Sequence, residues 1–425
     1  MSDGEQPVDV VGVGVDGWAA LSGRARALLD TAEVVVGGRR HLEGLVVGAG
    51  QQLVTWPSPM LDDLPRLVRT WEGRRVVVLA SGDPLVSGVG TTLVGLLGAE
   101  RVRVHPAVSS VSLARARLGW SAEGSDAVTL VGRDVDRLRR DLSPRARLVL
   151  LVSGAETPRN VSRLLVEEGY GDSVVTVLGY LGGVDETRVE GPASELSTSW
   201  DAGLTPRLYV LGVECRPAAG ASVSPAVVPG LPDESFEHDG QLTKRLVRAA
   251  ALAHLAPRPG DVMWDLGAGA GSVGIEFARA HPLNEVHAVE RDPVRAERIG
   301  RNARRLGVPA LRVVTASALS AIDTLPPPDA VFVGGGADAE VVERTWSALR
   351  PGGRLVVHAV TVETELVLHA ARRAHGGSLV RLSVEEVGDL GSFTGWSPAR
   401  AIVQWSTSKP WGQWDPSGAT EGAGT

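Results

Sequence analysis

Residues 263–271 read MWDLGAGAG, an apolar run that closes in an acid and opens into glycines at 267, 269 and 271. The next stretch, SVGIEFARA, carries its apolar residues at helical period, and the following apolar segment, EVHAVE, ends in Glu290. The order is therefore strand, tight turn, helix, strand, acid. Glycines in the turn allow positive φ and let the backbone approach a ligand closely. A carboxylate at the end of the second strand can accept hydrogen bonds from ribose hydroxyls. Residue type and spacing together describe a nucleoside site built from Gly267, Ala268, Gly269, Ala270, Gly271 and Glu290. A glycine turn that serves packing alone is the weaker explanation of the whole pattern.

Which nucleoside depends on the glycine spacing. A dinucleotide fingerprint needs its third glycine at position 272, which is Ser272. The spacing G-x-G-x-G instead resembles the S-adenosylmethionine (SAM) loop of class I methyltransferases. A second glycine set, Gly12, Gly14 and Gly17, does match G-x-G-x-x-G, with Glu33 at about the expected sequence distance. Glu33 precedes the strand EVVVGG, however, and would stand at the wrong end of the sheet for a ribose. An NAD-holding binding protein stays open as an alternative, as does a SAM enzyme acting on RNA or on another small molecule.

These residues need an α/β scaffold to position them. In the C-terminal half, strands at 262–266 and 285–290 flank a helix at 272–280. Asp292 caps a helix with Pro293 in its first turn, which runs to Leu306 and stops at Gly307. LRVVTAS, PDAVFVGGG and RLVVHAV read as further strands, with helices at about 339–349 and from about 363. LVRLSVEEV and ARAIVQWS are expected to form a hairpin closing the sheet edge. This alternation predicts a parallel sheet with helices on both faces and a ligand at the carboxyl ends of its strands. The N-terminal half alternates likewise, in two lobes. Residues 213–233 are rich in Pro, Ala, Ser and Gly. The expected division is a domain at 1–214, a linker at 215–233, a Rossmann-like domain at 234–408 and a flexible tail at 409–425.

Composition excludes several function classes. A net charge of −7 disfavours a general nucleic-acid binder. No apolar run is long enough to span a bilayer. The first residues lack a basic region followed by an apolar core, and the single cysteine, Cys215, permits no internal disulfide. A cytoplasmic protein is expected. The nine histidines show no ligand spacing, so no metal site is expected. Only two lysines occur, Lys244 and Lys409, against 43 basic residues in all, a bias expected of a GC-rich genome.

Further motifs carry a family resemblance. VGVGVDG (11–17), VVVGGRRHL (34–42), LASGDP (79–84), HPAVSSVSLARARLGW (105–120) and LGYLGGVDE (178–186) resemble the tetrapyrrole methylases of the cobalamin pathway. From LPDESFEHDGQLTKRLVRAAAL through DLGAGAGSVGIEFARA to PGGRLVVHAVTVETE, the second half resembles the decarboxylating precorrin methyltransferases. The resemblance covers about residues 8–410. It implies two SAM molecules, methylation of precorrin-6Y at carbons 5 and 15, and loss of carbon dioxide from the ring-C acetate, giving precorrin-8. It also implies a homo-oligomer. By resemblance, carbon-5 transfer belongs to the N-terminal domain, and carbon-15 transfer with decarboxylation to the C-terminal domain.

The same resemblance distributes further residues. The 267–271 loop takes the amino-acid end of SAM and Glu290 its ribose. Thr243 folds over the donor, although a helix N-cap is an equal reading, and Ala318 lies beside the adenine. Gln241 and Lys244 are weaker candidates. Ser317 stands where an adenine-binding Asp is common. Gly334, Gly335 and Gly336 leave room for a large ring, where nucleic-acid amino-methylases carry an Asn/Asp-Pro-Pro-aromatic turn. In the first domain, Gly82, Asp83, Ser109 and Ser110 surround the second SAM. Asp16 is a polar contact or a turn former. Arg39, Arg40 and Arg133 are candidates for the substrate carboxylates. His358 reads better as a strand-end side chain than as a proton donor, and no catalytic side chain is assigned. Methyl transfer from a sulfonium to an enamine-like carbon needs alignment above all, and positioning can supply roughly 7–11 kcal/mol of the barrier.

Overall fold

The computed structural model describes residues 6–43, 45, 48, 50–57, 60–221 and 229–411. The linker expected at 215–233 lies outside them over 222–228, and the expected tail over 412–425. The chain divides into two units, Met1–Val135 with Ser143–Val223, and Asp136–Leu142 with Ser224–Thr425.

The first unit holds two five-stranded sheets. Strands β1 (Val8–Val13), β2 (Val34–Gly37), β3 (Gln52–Thr55), β4 (Val76–Ser81) and β5 (Val102–His105) form an all-parallel sheet in the order β3-β2-β4-β1-β5. Its central strands are continuous apolar runs because both faces are covered. Val10, Val36 and Val78 pack on one face, and Val11, Val35 and Val77 on the other. Strands β6 (Asp126–Thr129), β7 (Arg147–Leu151), β8 (Val174–Gly179), β9 (Thr187–Pro192) and β10 (Tyr209–Glu214) form the second sheet, in the order β6-β7-β10-β8-β9. Here only β6 and β7 run parallel. The helix Ser110–Leu118 leaves the end of β5 and packs Val111 and Ala114 against Val149, Leu178 and Val210 of the second sheet. Its N-terminus therefore belongs to one lobe and its body to the other. The segment after β10 is held: Cys215 donates its N–H to Ala146 O, and Ala218 its N–H to Gly169 O. The Cys215 thiol is buried, which pushes its pKa up to about 12.

In the second unit, β11 (Val262–Leu266), β12 (Glu285–Glu290), β13 (Arg312–Thr315), β14 (Ala330–Val333), β15 (Arg354–Ala359), β16 (Ser378–Leu382), β17 (Glu385–Leu390), β18 (Phe393–Pro398) and β19 (Ile402–Ser408) follow in turn. Seven of these make one sheet, β13-β12-β11-β14-β15-β19-β16, in which β19 runs antiparallel to both neighbours. Strand order reverses between β11 and β14, the place where open α/β sheets bind ligands. The expected helices form at Ser272–Ala280, Pro293–Arg305, Ala339–Ala348 and Val362–His375. Asp292 Oδ1 accepts from Val294 N and Arg295 N at 2.9 and 3.3 Å, as the cap reading requires.

The edge differs from its expectation. LVRL and AIVQWS do pair, as β16 and β19, but EEV belongs to β17. β17 and β18 form a separate two-stranded hairpin inserted between them, turning at Gly391 with φ +64°. A two-residue turn after Leu390 fits that positive φ, and Ser383 and Val384 break the run. Among the described residues, no helix is long and apolar enough to cross a membrane.

Two cations fix the second unit. Arg248, with no solvent exposure, donates to the Glu276 carboxylate, to Asp233 Oδ1, and to the carbonyls of Thr243 and Leu231. Lys409 donates to the carbonyls of Trp346, Ser347 and Leu349, closing the C-terminus of Ala339–Ala348. Removing one partner of a buried pair leaves the other charge uncompensated, at a cost of about 3–5 kcal/mol. Arg248→Met is therefore expected to lower the melting transition of this unit far more than Lys409→Met, which loses about 1–2 kcal/mol of end-capping. Thermal scans of the two full-length variants check the ranking; an Arg248→Met protein as stable as the parent contradicts it.

Candidate functional site

The loop 267–271 joins β11 to the helix Ser272–Ala280, and all three of its glycines have positive φ, +69°, +60° and +76°. Side chains are excluded there by space as well as by conformation. A Cβ on Gly267 would lie 2.6 Å from Gly335 O, and one on Gly271 would lie 2.8 Å from Ile299 Cγ2. Gly267 N and Ala268 N both donate to Val289 O, at 3.0 and 3.1 Å, which ties the loop to the end of β12. Glu290 is nearly buried and accepts from Gly269 N at 2.9 Å and from Asp292 N at 3.0 Å. The acid expected to face a ribose therefore also props up the glycine loop.

Ala316 N donates to Glu290 O at 3.2 Å, bringing the turn after β13 beside the same strand end. Ala318 begins the helix Ala318–Ile322, and Ser317 caps it through Ser320 N at 3.2 Å. The serine in the place of an adenine-binding acid thus serves the helix. Gly334 N donates to Leu266 O at 2.9 Å, so the 334–336 glycines stand against the loop. The ends of β11, β12, β13 and β14 converge on one place.

Residues 229–244 run over it as a strap. Gln241 O lies where a Cβ on Gly269 would be 3.1 Å away. Thr243 is half-buried, and its carbonyl accepts from Arg248. It is not the helix cap: that position is Lys244, whose side chain caps nothing and lies 3.5 Å from Asp233. Asn302, fully buried, joins strap to loop. Its Oδ1 accepts from Glu237 N at 2.9 Å, and its Nδ2 donates to Glu237 O and Ala270 O, each at 3.0 Å. Asp239, on the strap, is hydrogen-bonded by Arg295 and Arg298, which hold its carboxyl well below the usual carboxylate range. Asn302 carries no motif; its only signal in the sequence is a polar residue on the inner face of an amphipathic helix.

In the first unit the site residues meet at the ends of β1, β4 and β5. Gly82 N donates to Val13 O at 2.9 Å, and Ala107 N donates to Gly82 O at 3.2 Å. Gly12 lies inside this crossing, where a Cβ would come within 2.0 Å of Gly82 O. Gly82 has φ +55°, and a Cβ there would press on Val108 O and Ser109 Cα at 3.2 and 3.3 Å. Asp83 Oδ1 accepts from Leu85 N at 2.9 Å. Ser109 caps the helix Ser110–Leu118 through Ser112 N at 3.1 Å, and Ser110 begins that helix. Val15 and Asp16 lie against Gly183, at 2.3 and 3.6 Å from a Cβ built there, so the two lobes touch at this loop. Glu33 stands at the opposite end of the sheet, accepting from Arg75 N at 2.8 Å. A dinucleotide ribose at Gly12 and Gly14 would therefore not meet Glu33.

The candidate arginines separate. Arg40 donates to Ser81 at the end of β4. Arg133 lines a cleft of about 320 Å³ with Leu130, Gly132, Ser153, Thr157 and Asn160, at the ends of β6 and β7. Arg39 is exposed. His358 is buried in β15, 2.9 Å from Gln404 Oε1 and edge-on to Phe332; burial pushes its pKa down to about 4, which suits a neutral strand side chain. No group of side chains among the described residues could hold a metal ion.

Asp265, the acid closing β11, is buried; its Oδ2 accepts from Gly274 N at 2.9 Å, and its Oδ1 has no partner among the described residues. Gly274 is required for this, since a Cβ would sit 2.8 Å from Oδ2. The glycine cradle and the orphaned Oδ1 fit a ligand with a polar, cationic end. Burial, and then the charge of Glu290, push the Asp265 pKa up to about 7 against a hydrogen bond from Gly274 that lowers it. A carboxyl raised in this way favours the folded state below its unfolded pKa of about 3.9, and that advantage is lost as pH rises through about 7. Asp265→Asn cannot ionise. Its melting temperature relative to the parent is expected to be higher at pH 8 than at pH 5, and an equal difference at both values refutes the assignment.

Comparison with known proteins follows the two units. Residues 8–197 match the family model of tetrapyrrole (corrin/porphyrin) methylases, and residues 234–409 that of the precorrin methyltransferase domain. A Sinorhizobium protein named precorrin-6Y C(5,15)-methyltransferase (decarboxylating) is 44% identical over 404 residues, 94% of this chain and 96% of the relative. A Mycobacterium tuberculosis protein of the same name is 38% identical over 402 residues, covering 94% and 99%. A Salmonella typhimurium protein named cobalt-precorrin-7 C(5)-methyltransferase is 30% identical over 171 residues, 40% of this chain and 82% of that one. With both family models matched and such identity along nearly the whole length, the chain belongs to the decarboxylating precorrin-6Y C(5,15)-methyltransferase family.

Proposed function

We propose that the two glycine-lined sites divide the family's reaction between them, each holding its own SAM. The reaction is SAM-dependent methylation of precorrin-6Y at carbons 5 and 15, with decarboxylation of the ring-C acetate to give precorrin-8, in cobalamin biosynthesis. The loop 267–271, Glu290, Thr243 and Ala318 serve carbon-15 transfer and decarboxylation in a domain at 234–408. Gly82, Asp83, Ser109 and Ser110 serve carbon-5 transfer in a domain at 1–214. The carrying observation is that each unit places glycines at parallel strand ends, with positive φ at Gly82 and at Gly267, Gly269 and Gly271, where a side chain would collide with or press on the backbone or core. A relative named for carbon-5 methylation alone, matching 40% of the chain, supports separable activities.

Bound SAM supplies an electrophilic methyl group on a sulfonium. The chain's part is to hold and orient. The three glycines bring backbone N–H groups to the donor's amino-acid end, with the orphaned Asp265 Oδ1 nearby. Glu290 keeps lone pairs for ribose hydroxyls beyond those taken by Gly269 and Asp292. The strap, pinned by Asn302 and Arg248, excludes water from the loop. The glycines after β14 leave space for a flat ring. A cytoplasmic setting suits such a biosynthetic enzyme.

Calorimetry with SAM should find two sites per chain and no NAD binding. Gly269→Val should remove one site and Gly82→Val the other; a single site in the parent protein sinks the division. Mass spectrometry of the products should show that Glu290→Ala slows methyl addition with carbon dioxide loss by 10-fold or more, on the order of a lost charged hydrogen bond, while carbon-5 transfer continues. Self-association is also proposed, supported by the hairpin β17–β18, where Val387, Leu390, Phe393 and Trp396 are all exposed. Phe393→Asp with Trp396→Ser is expected to reduce the mass seen by light scattering to that of one chain; a parent protein that is already monomeric refutes it.

A further inference from the structure

We propose that Arg40, His41 and Ser81 form a seat for one carboxylate of the tetrapyrrole, at the rim of the first unit's donor site. The inference rests on the reading that carbon-5 transfer occurs in this unit. Arg40 and His41 lie in the single helical turn Arg39–Leu42 after β2, and Ser81 ends β4. β2 and β4 are parallel neighbours, so both groups stand at the same sheet edge, and Ser81 directly precedes Gly82 and Asp83.

Arg40 donates through Nη2 to Ser81 Oγ, and no carboxylate among the described residues pairs with it. Arg40 is exposed at this edge, and partial desolvation alone lowers its pKa. The imidazole of His41 has its Nε2 3.4 Å from the same Oγ and a buried Nδ1 without a partner among the described residues. Desolvation, then the neighbouring Arg40 charge, push its pKa down to about 4, so it is neutral at physiological pH. Ser81 Oγ accepts from Arg40, and its hydroxyl hydrogen has only the long contact to His41 Nε2 at 3.4 Å to compete with a bound carboxylate. A cation lacking its anion, beside a hydroxyl with a hydrogen to give, is complementary to a carboxylate: two donors converge, and the neutral imidazole adds no competing anion. The seat would fix the ring's rotation over the donor by gripping an acetate or propionate arm.

The test uses full-length protein, precorrin-6Y and SAM, with carbon-5 transfer read by mass spectrometry. Arg40→Met is expected to raise the KM for the tetrapyrrole in carbon-5 transfer by about 10- to 100-fold, the worth of a charged hydrogen bond. SAM affinity measured by calorimetry and carbon-15 transfer with decarboxylation in the same polypeptide should stay within about twofold, which shows the variant is folded. Ser81→Ala should give a smaller rise, and Arg40→Lys should recover part of the loss. An unchanged KM, or a loss of SAM affinity that matches the loss of activity, overturns the proposal. Gly82→Val is the separate check on the underlying reading. If it leaves carbon-5 transfer intact, the division of labour fails and the seat with it. If it abolishes carbon-5 transfer while Arg40→Met leaves KM unchanged, the seat alone fails.

Discussion

The buried pair of Arg248 and Glu276 is what the second unit's site depends on. Glu276 lies on the helix that the glycine loop opens, and its carboxylate accepts from Gly230 N and Leu231 N as well as from Arg248. Arg248 in turn reaches Asp233 and the carbonyls of Leu231 and Thr243, with its guanidinium 4.8 Å from the Phe236 ring centre. Five residues of the strap are thereby fixed from beneath. An ion pair this deep carries a large desolvation cost and is a poor way merely to gain stability. Apolar side chains could fill the same volume, but they could not satisfy two strap N–H groups and two strap carbonyls at once. The geometry specifies where the strap sits, and so where Gln241 and Thr243 sit over the loop.

A second constraint acts at the loops themselves. Both units crowd main chain against main chain at the ends of parallel strands: Gly267 against Gly335, and Gly12 against Gly82 and Ala107. The approach is too close for any side chain, so backbone polar groups replace side chains as the lining. Such a lining can grip and align but offers little covalent chemistry, which is what transfer from a reactive donor requires.

The glycine loop, its helix, Glu290 and the capped helix at Pro293–Arg305 were legible because each rests on local sequence: a turn that needs positive φ, an apolar period, a cap with proline behind it. The parallel sheets followed from the same alternation. What stayed hidden is non-local. Asn302 bridges Glu237 to Ala270, separated by 65 and 32 residues, and nothing around it marks it out. Arg248 is one of many arginines and carries no motif. Gly274 carries none either, although it makes room for the Asp265 carboxylate. The β17–β18 hairpin was merged into an edge strand because its apolar residues mimic one; only pairing shows that they face solvent. Lys409 seemed to begin a loose tail, yet its three carbonyl partners make it a helix stop.

Asp265 and Glu290 show how one loop sets two carboxylates to different tasks. Both are buried, and the charge of Glu290 raises the cost of ionising Asp265. Glu290 has backbone N–H donors on both oxygens. Asp265 has a single donor and a bare oxygen, and burial holds its proton on until near neutrality. A neutral carboxyl in that position is stable but uncommitted. A positive charge brought to the loop would favour its ionised form, and the attraction would be strong because the surroundings are dry. An unsatisfied buried oxygen of this kind would favour a cationic ligand over a neutral one of the same shape.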